Sequence, residues 1–206
     1  MRGERPRVVI ATANRHKFRE MADILSDLGI DFVMAADLGV EFPEESPSDM
    51  EANAIAKAKA AAEQTGLVAV ADDSGLEVDA LGGEPGPMSS RFGGEGLSDL
   101  DRCKLLLERM RGVPEEARTA RFRCVIAVAT PEGEVRTFQG TIEGMIATEP
   151  RGSHGFGYDP VFFVPDYQKT MAELGPLVKN RISHRAKALQ AAKRFILEAA
   201  KRWRGA

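Results

Sequence analysis

An α/β fold with a mixed β-sheet flanked by helices is what this 206-residue sequence predicts, and three observations carry the prediction. Apolar runs of strand length alternate with helical patterns over residues 8–71, a β-hairpin pattern is inserted at 121–142, and a long amphipathic helix closes the chain. Alternation by itself argues for a parallel sheet, and the hairpin makes it mixed.

The elements follow in order. Val8-Val9-Ile10-Ala11 reads as a buried strand, and from Lys17 the residues Phe18, Met21, Leu25 and Leu28 recur at helical spacing until Gly29. Ser48 with Glu51 forms a capping-box pattern that opens an alanine-rich helix from about Asp49 to Gln64, stopped by Gly66. Leu67-Val68-Ala69-Val70-Ala71 is a strand expected to end at Asp72 and Asp73, and a glycine- and proline-rich loop runs from Leu81 to Gly96. Ser98 and Asp101 open a third helix with Cys103, Leu106, Leu107 and Met110 on its inner side. Arg121 to Ala129 and Val135 to Ile142 flank Thr130-Pro131-Glu132-Gly133 as an antiparallel hairpin, with Ile142 to Ala147 continuing the sheet. Val161-Phe162-Phe163-Val164 is a further strand, and the last helix, from about Ser183 to Trp203, carries Leu189, Ala192, Ile196, Ala200 and Trp203 on one face.

A chain of this length fits one domain, residues 1–206, with a core that needs no disulfide or metal staple. Lysine and arginine number 28 against 31 acidic residues, so no global cationic field favours a nucleic-acid partner. The basic residues of the C-terminal stretch, Lys187, Lys193, Arg194, Lys201, Arg202 and Arg204, fall on the polar side of an amphipathic helix. Cys103 and Cys124 have no close-spaced partner, which suits a reducing compartment. The segment from Met1 to Arg7 and the short apolar run after it are too brief for a signal peptide or a membrane span, and a cytoplasmic protein without a membrane partner is expected.

Several segments carry chemistry. Thr12-Ala13-Asn14-Arg15-His16-Lys17 links a strand to a helix N-terminus, where unpaired amides and a partial positive charge suit an anion and Lys17 adds a full charge. An ordinary strand-to-helix loop with a solvated lysine reads equally well. Asn53 and Lys57 lie four apart and share a helix face, from which both could reach one phosphate chain or simply meet water. Asp72 and Asp73 sit where ligands collect in open α/β sheets, and alternation lets only one aim into a site unless Ser74-Gly75 turns the chain. Glu44 and Glu45 pose the same choice of one from two. Carboxylates in such small number suit magnesium, which takes one or two and fills its shell with water and phosphate. His16, His154 and His184 are scattered and make no zinc motif. In Gly155-Phe156-Gly157-Tyr158-Asp159-Pro160 the flanking glycines let a ligand lie against the backbone, and Phe156 can stack a base without discriminating among bases. Polar neighbours such as Asp159, His184 and Arg185 would then read its edge; a turn and a helix cap are the plainer readings of the same residues.

Taken together, Ala11 to Asn14 with Lys17 and Glu20, Glu44-Glu45, Asn53-Ala54 with Lys57-Ala58, Ala71 to Leu76, Gly155 to Pro160 and Ser183-His184-Arg185 resemble the inosine triphosphate pyrophosphatase family, the noncanonical purine nucleoside triphosphate pyrophosphatases. The resemblance spans nearly the whole chain. It implies a homodimeric, magnesium-dependent hydrolase that converts inosine, deoxyinosine and xanthosine triphosphates to monophosphate and pyrophosphate, built on an elongated mixed sheet with two lobes around a central cleft. By position in the motifs, Thr12, Ala13, Asn14, Arg15, His16 and Lys17 would hold phosphates, and Asn53, Lys57 and Lys179 would join them. Asp73 would be the proton acceptor, Ser74 a substrate contact, and Glu44 with Asp73 the metal ligands. Phe156, Gly157, Tyr158, Asp159, His184 and Arg185 would enclose the base. Ala13 stands where the family often has glycine.

Overall fold

The computed structural model describes residues 5–203; Arg204 and the first residues of the N-terminal segment lie outside them. The helices and strands run β1 (Arg7–Ala11), α1 (Arg15–Ile24), β2 (Asp31–Met34), α2 (Met50–Thr65), β3 (Val68–Val78), β4 (Pro85–Gly86), α3 (Asp99–Arg109), β5 (Thr119–Ala129), β6 (Val135–Ile146), β7 (Phe162–Val164), β8 (Lys169–Thr170), α4 (Met171–Ile182) and α5 (His184–Arg202). The strands form one mixed sheet in the order β2-β1-β3-β5-β6-β7-β8, with β4 paired to β3. Strand β1 is parallel to both β2 and β3, whereas β4 on β3, β7 on β6 and β8 on β7 are antiparallel. The mixed α/β architecture expected from the sequence is therefore present.

The chain divides into two compact units. The first comprises the described part of residues 1–73, 124–140 and 185–206. Its strands alternate strictly: Val8, Ile10, Val68, Val70, Cys124, Ile126 and Val128 face one layer, packed with residues of α1 and α5, and Val9, Ala11, Ala69, Ala71, Val125, Ala127 and Ala129 face the other, packed on the alanines of α2. The second unit comprises residues 74–123 and 141–184, around a core that includes Leu76, Val78, Leu106, Met110, Phe122, Ile146, Phe162 and Met171.

Local chemistry sets the boundaries. Helix α1 starts at Asn14, whose side-chain oxygen accepts from the amides of His16 and Lys17, and after a short 3₁₀ turn the segment stops at Gly29 in the left-handed conformation. Helix α3 carries the expected capping box of Ser98 and Asp101. Helix α2 begins one residue later than its pattern suggested. The cap is Asp49, whose carboxylate accepts from the Ala52 amide at 2.9 Å, while Ser48 sits one position too early to reach that donor. Strand β3 does not end at the aspartates. It runs on through Ser74 and Gly75 to Val78, because Leu76 and Glu77 pair with Gly86 and Pro85 of β4, so no turn forms there. Helix α4, which the sequence reading missed, has Gly175 at φ 72° followed by Pro176, a break that erases any clean helical period.

Candidate active site

Because β3 continues through Asp72 and Asp73, alternation sends the two carboxylates into opposite layers of the first unit. Asp72 joins the α1 and α5 side. Its Oδ2 accepts from Arg185 Nε at 3.0 Å and from Cys124 Sγ at 3.1 Å, and its Oδ1 is paired with Lys17 Nζ. Arg185 Nη1 donates in turn to Glu20 at 2.9 Å. The Asp72 side chain is wholly buried. Burial alone would raise its pKa, but Arg185 and Lys17 outweigh it and hold the carboxyl well below the ordinary range. Asp72 is thus a permanent anion binding two cations.

Asp73 joins the α2 side. Its Oδ1 accepts from Lys57 Nζ at 3.0 Å and its Oδ2 from Asn53 Nδ2 at 3.0 Å. Lys57 also donates to Glu45 at 2.8 Å and to the Asp72 carbonyl at 2.9 Å. Here desolvation prevails and raises the Asp73 carboxyl despite Lys57 and Lys17 nearby, which makes it the more basic of the two aspartates. Burial works against charge on Lys57, yet Asp73 and Glu45 overcome it and raise the ammonium.

Of the two glutamates, Glu45 reaches Lys57, while Glu44 is exposed in the same loop. Among the described residues no group of three or more His, Cys, Asp or Glu could hold a metal by itself. Asp73 and Glu45 nevertheless meet at the Lys57 ammonium and offer only hard oxygen donors. That donor set fits a magnesium ion, which needs no more than one or two protein carboxylates.

The strand-to-helix loop offers fewer amides than its sequence suggested, since Asn14 itself caps those of His16 and Lys17 and its own N–H donates to Thr12 Oγ1 at 3.0 Å. Thr12 is buried, Ala13, Asn14, Arg15 and His16 are exposed, and Arg15 reaches Asp37. The Lys17 ammonium spends one contact on Asp72 and is partly exposed, which leaves two N–H groups for a ligand.

In the second unit the aromatic loop is ordered by Asp159. Its Oδ2 accepts from the Phe156 amide at 3.0 Å and from Lys179 Nζ at 2.6 Å, and that ammonium lies 4.4 Å from the centre of the Phe156 ring. Gly155 has φ 79°, and a Cβ there would fall 2.0 Å from the same oxygen. The Gly157 amide donates to Asp99 at 2.7 Å. Tyr158, expected near a base, is buried in the core with its hydroxyl on the Ser89 carbonyl at 2.8 Å. His184 is buried and stacks on Phe122, ring centres 4.7 Å apart. Ser74, next to Asp73 in β3, is half-buried.

The sequence reading left Asp72 and Glu45 as unchosen halves of two pairs and gave Cys124 no site role. The alternation of Val68 and Val70 against Ala69 and Ala71 was the signal that could have assigned both aspartates, had the strand been extended beyond them.

The sequence pattern of the Ham1 family matches residues 8–195. A dITP/XTP pyrophosphatase from Desulforamulus reducens is 50% identical over 187 residues, covering 90% of this chain and 93% of that protein. One from Bacillus subtilis is 48% identical over 183 residues, covering 88% and 92%. Among solved structures, a HAM1 protein from Coxiella burnetii superposes with a TM-score of 0.84 at 44% identity, covering 94% of this chain and all of that one. A nucleoside-triphosphatase (dITP/XTP pyrophosphatase) from Mycobacterium abscessus gives 0.70 at 40% identity, covering 90% and 97%. With the family pattern over most of its length and relatives at this identity along nearly their whole chains, this chain belongs to the Ham1 family.

Proposed function

We propose that this protein hydrolyses noncanonical purine nucleoside triphosphates, dITP, ITP and XTP, to the monophosphate and pyrophosphate, and so cleanses the nucleotide pool. The observation that carries the reading is the division of labour at Asp72-Asp73, one carboxylate locked as a counter-ion and its neighbour kept basic beside Lys57. The names of the relatives, dITP/XTP pyrophosphatases at 48–50% identity, support the substrate class.

A triphosphate carries about four negative charges that repel a nucleophile, and the two spare N–H groups of Lys17 at the positive end of α1 are placed to offset them. Asp73 accepts a proton from the attacking water, the new oxygen–phosphorus bond forms at the α-phosphorus, and the bond to the bridging oxygen breaks to release pyrophosphate. Magnesium would be held by Asp73 with the Glu44-Glu45 loop and, when bound, would neutralise phosphate charge and acidify a water molecule. The purine is assigned to the ring of Phe156. Hypoxanthine and xanthine present an acceptor oxygen at the six position where adenine has a donor. With the amides of Phe156 and Gly157 committed, and Arg185 held on Asp72 and Glu20, the side chain of His184 is assigned to read it. A site built around such a hydrogen bond discriminates by roughly 10⁴ or more. The same reading includes a homodimer working in the cytoplasm; among the described residues no helix is long and apolar enough to cross a membrane.

The test is pyrophosphate release from dITP, ITP, XTP, dATP, dGTP and pyrimidine triphosphates, with magnesium and with a chelator, alongside sedimentation for the dimer. Rates on dATP or dTTP equal to those on dITP would overturn the substrate assignment, and full activity in the chelator would overturn the metal.

A further inference from the structure

Asn53 and Lys57 have nothing left to give a phosphate. Both hydrogens of the Asn53 amide are used, one on the Ser46 carbonyl at 2.9 Å and one on Asp73 Oδ2 at 3.0 Å, and its oxygen accepts from the Ser46 amide at 2.6 Å. An ammonium has three hydrogens, and those of Lys57 go to Glu45, the Asp72 carbonyl and Asp73 Oδ1 at 2.8, 2.9 and 3.0 Å. Both residues are buried, at 4% and 8% exposure. Lys17, by contrast, spends one hydrogen on the protein.

We infer that Asn53 and Lys57 are positioning residues for Asp73 and that neither binds the triphosphate. This deepens the reading above and rests on it for the role of Asp73. The terminal torsion of an aspartate is soft, so a carboxylate that must meet one water in one direction needs a donor on each oxygen. Lys57 supplies one and Asn53 the other, from the same face of α2. The two residues also set the acidic loop. Asn53 pairs with the Ser46 backbone through both a donor and an acceptor, as a neighbouring strand would, and Lys57 takes hold of Glu45 in the preceding position. A single helical turn thus fixes the orientation of the proton acceptor and the place of the second carboxylate together.

The experiment compares wild type with Asn53→Ala, Lys57→Arg and Lys17→Ala, recording kcat and KM for dITP and, by calorimetry, the Kd of inorganic pyrophosphate. In Asn53→Ala and Lys57→Arg, kcat should fall about 100-fold, the size expected when a catalytic group is displaced by about 1 Å, while KM and the pyrophosphate Kd stay within about threefold of wild type. Lys17→Ala should weaken pyrophosphate at least about tenfold, since it removes a direct ligand. Lys57→Arg keeps the charge and loses the three-point geometry, so it decides the matter if Asn53→Ala does not fold. A tenfold loss of pyrophosphate affinity in either α2 variant, or an undiminished kcat in Lys57→Arg, overturns the inference. A wild type that releases no pyrophosphate from dITP would instead sink the functional reading, and the calorimetry would still show whether α2 binds phosphate.

Discussion

Replacing each of the two adjacent aspartates by asparagine should produce opposite defects. In Asp72→Asn the wholly buried anion between Lys17 and Arg185 is lost, and the two cations are left with a neutral amide between them. Removing one member of a buried ion network costs about 3–5 kcal/mol. For a domain of 150–250 residues each kcal/mol moves the melting temperature by about 2–4 °C, so a fall of roughly 6–20 °C is expected. In Asp73→Asn the lost charge was one that burial already disfavoured, and the amide oxygen can still accept from Lys57. What is lost there is one bond to Asn53, about 1 kcal/mol, and with it a shift of no more than about 5 °C. The turnover of Asp73→Asn should fall by about 10²–10⁴, the usual contribution of a positioned general base. Thermal unfolding by circular dichroism and a pyrophosphate-release assay on the same preparations measure both. An Asp72→Asn protein melting within 2 °C of wild type, or an Asp73→Asn enzyme with more than a tenth of wild-type kcat, would refute the division of roles.

Other outcomes follow from single contacts. Burial, with Asp99 and Asp159 nearby, pushes the Cys103 thiol up to about 12, and burial with Asp72 raises Cys124 well above its usual value. Since only the thiolate reacts, and at pH 8 about one Cys103 in ten thousand is ionised, neither cysteine should react with a disulfide reagent until the protein is unfolded; rapid labelling of the native chain would contradict this. Phe156→Ala should raise KM for every purine triphosphate by roughly 5- to 150-fold, the equivalent of a 1–3 kcal/mol stack, and an unchanged KM argues against stacking. Gly155→Ala, with a Cβ driven onto Asp159 and a left-handed φ to maintain, should reproduce much of the Phe156→Ala defect, which the same kinetics will show. Asp49→Ala removes the cap of α2 and should lower the melting temperature by about 2–4 °C, for a cap worth about 1 kcal/mol.

How far the sequence could be read depended on whether a signal was local. Helix α1, helix α3 and the turn after β5 announce themselves through caps, period and turn residues within a few positions; α3 and the turn appear in the structure as read, while the pattern read through Leu28 ends as α helix at Ile24 and closes with a 3₁₀ turn. Strand β3 reads as ending early because Asp-Asp-Ser-Gly has turn chemistry; only its pairing with β4, made from residues eight to ten positions further on, keeps it extended. The same distance effect hid the partners at the site. Arg185 could be singled out from its own tripeptide, but nothing near it in the chain says that it lies on Asp72 and Glu20. Glu45 rather than Glu44 meets Lys57 because Asn53 grips Ser46, a contact between side chain and backbone that residue types alone do not encode.

The alanines of α2 carry a consequence for how this enzyme can change. Ala54, Ala58, Ala61 and Ala62 have almost no exposed surface, and they let the helix axis lie close enough to the sheet for side chains as short as Asn53 to touch the strand. A larger residue at Ala54 or Ala58 would act as a wedge, prising Asn53 and Lys57 off Asp73 while leaving every charged group in the sequence intact. Catalytic geometry here is therefore hostage to the thickness of a methyl group, and an inactive variant need not carry any substitution among its polar residues.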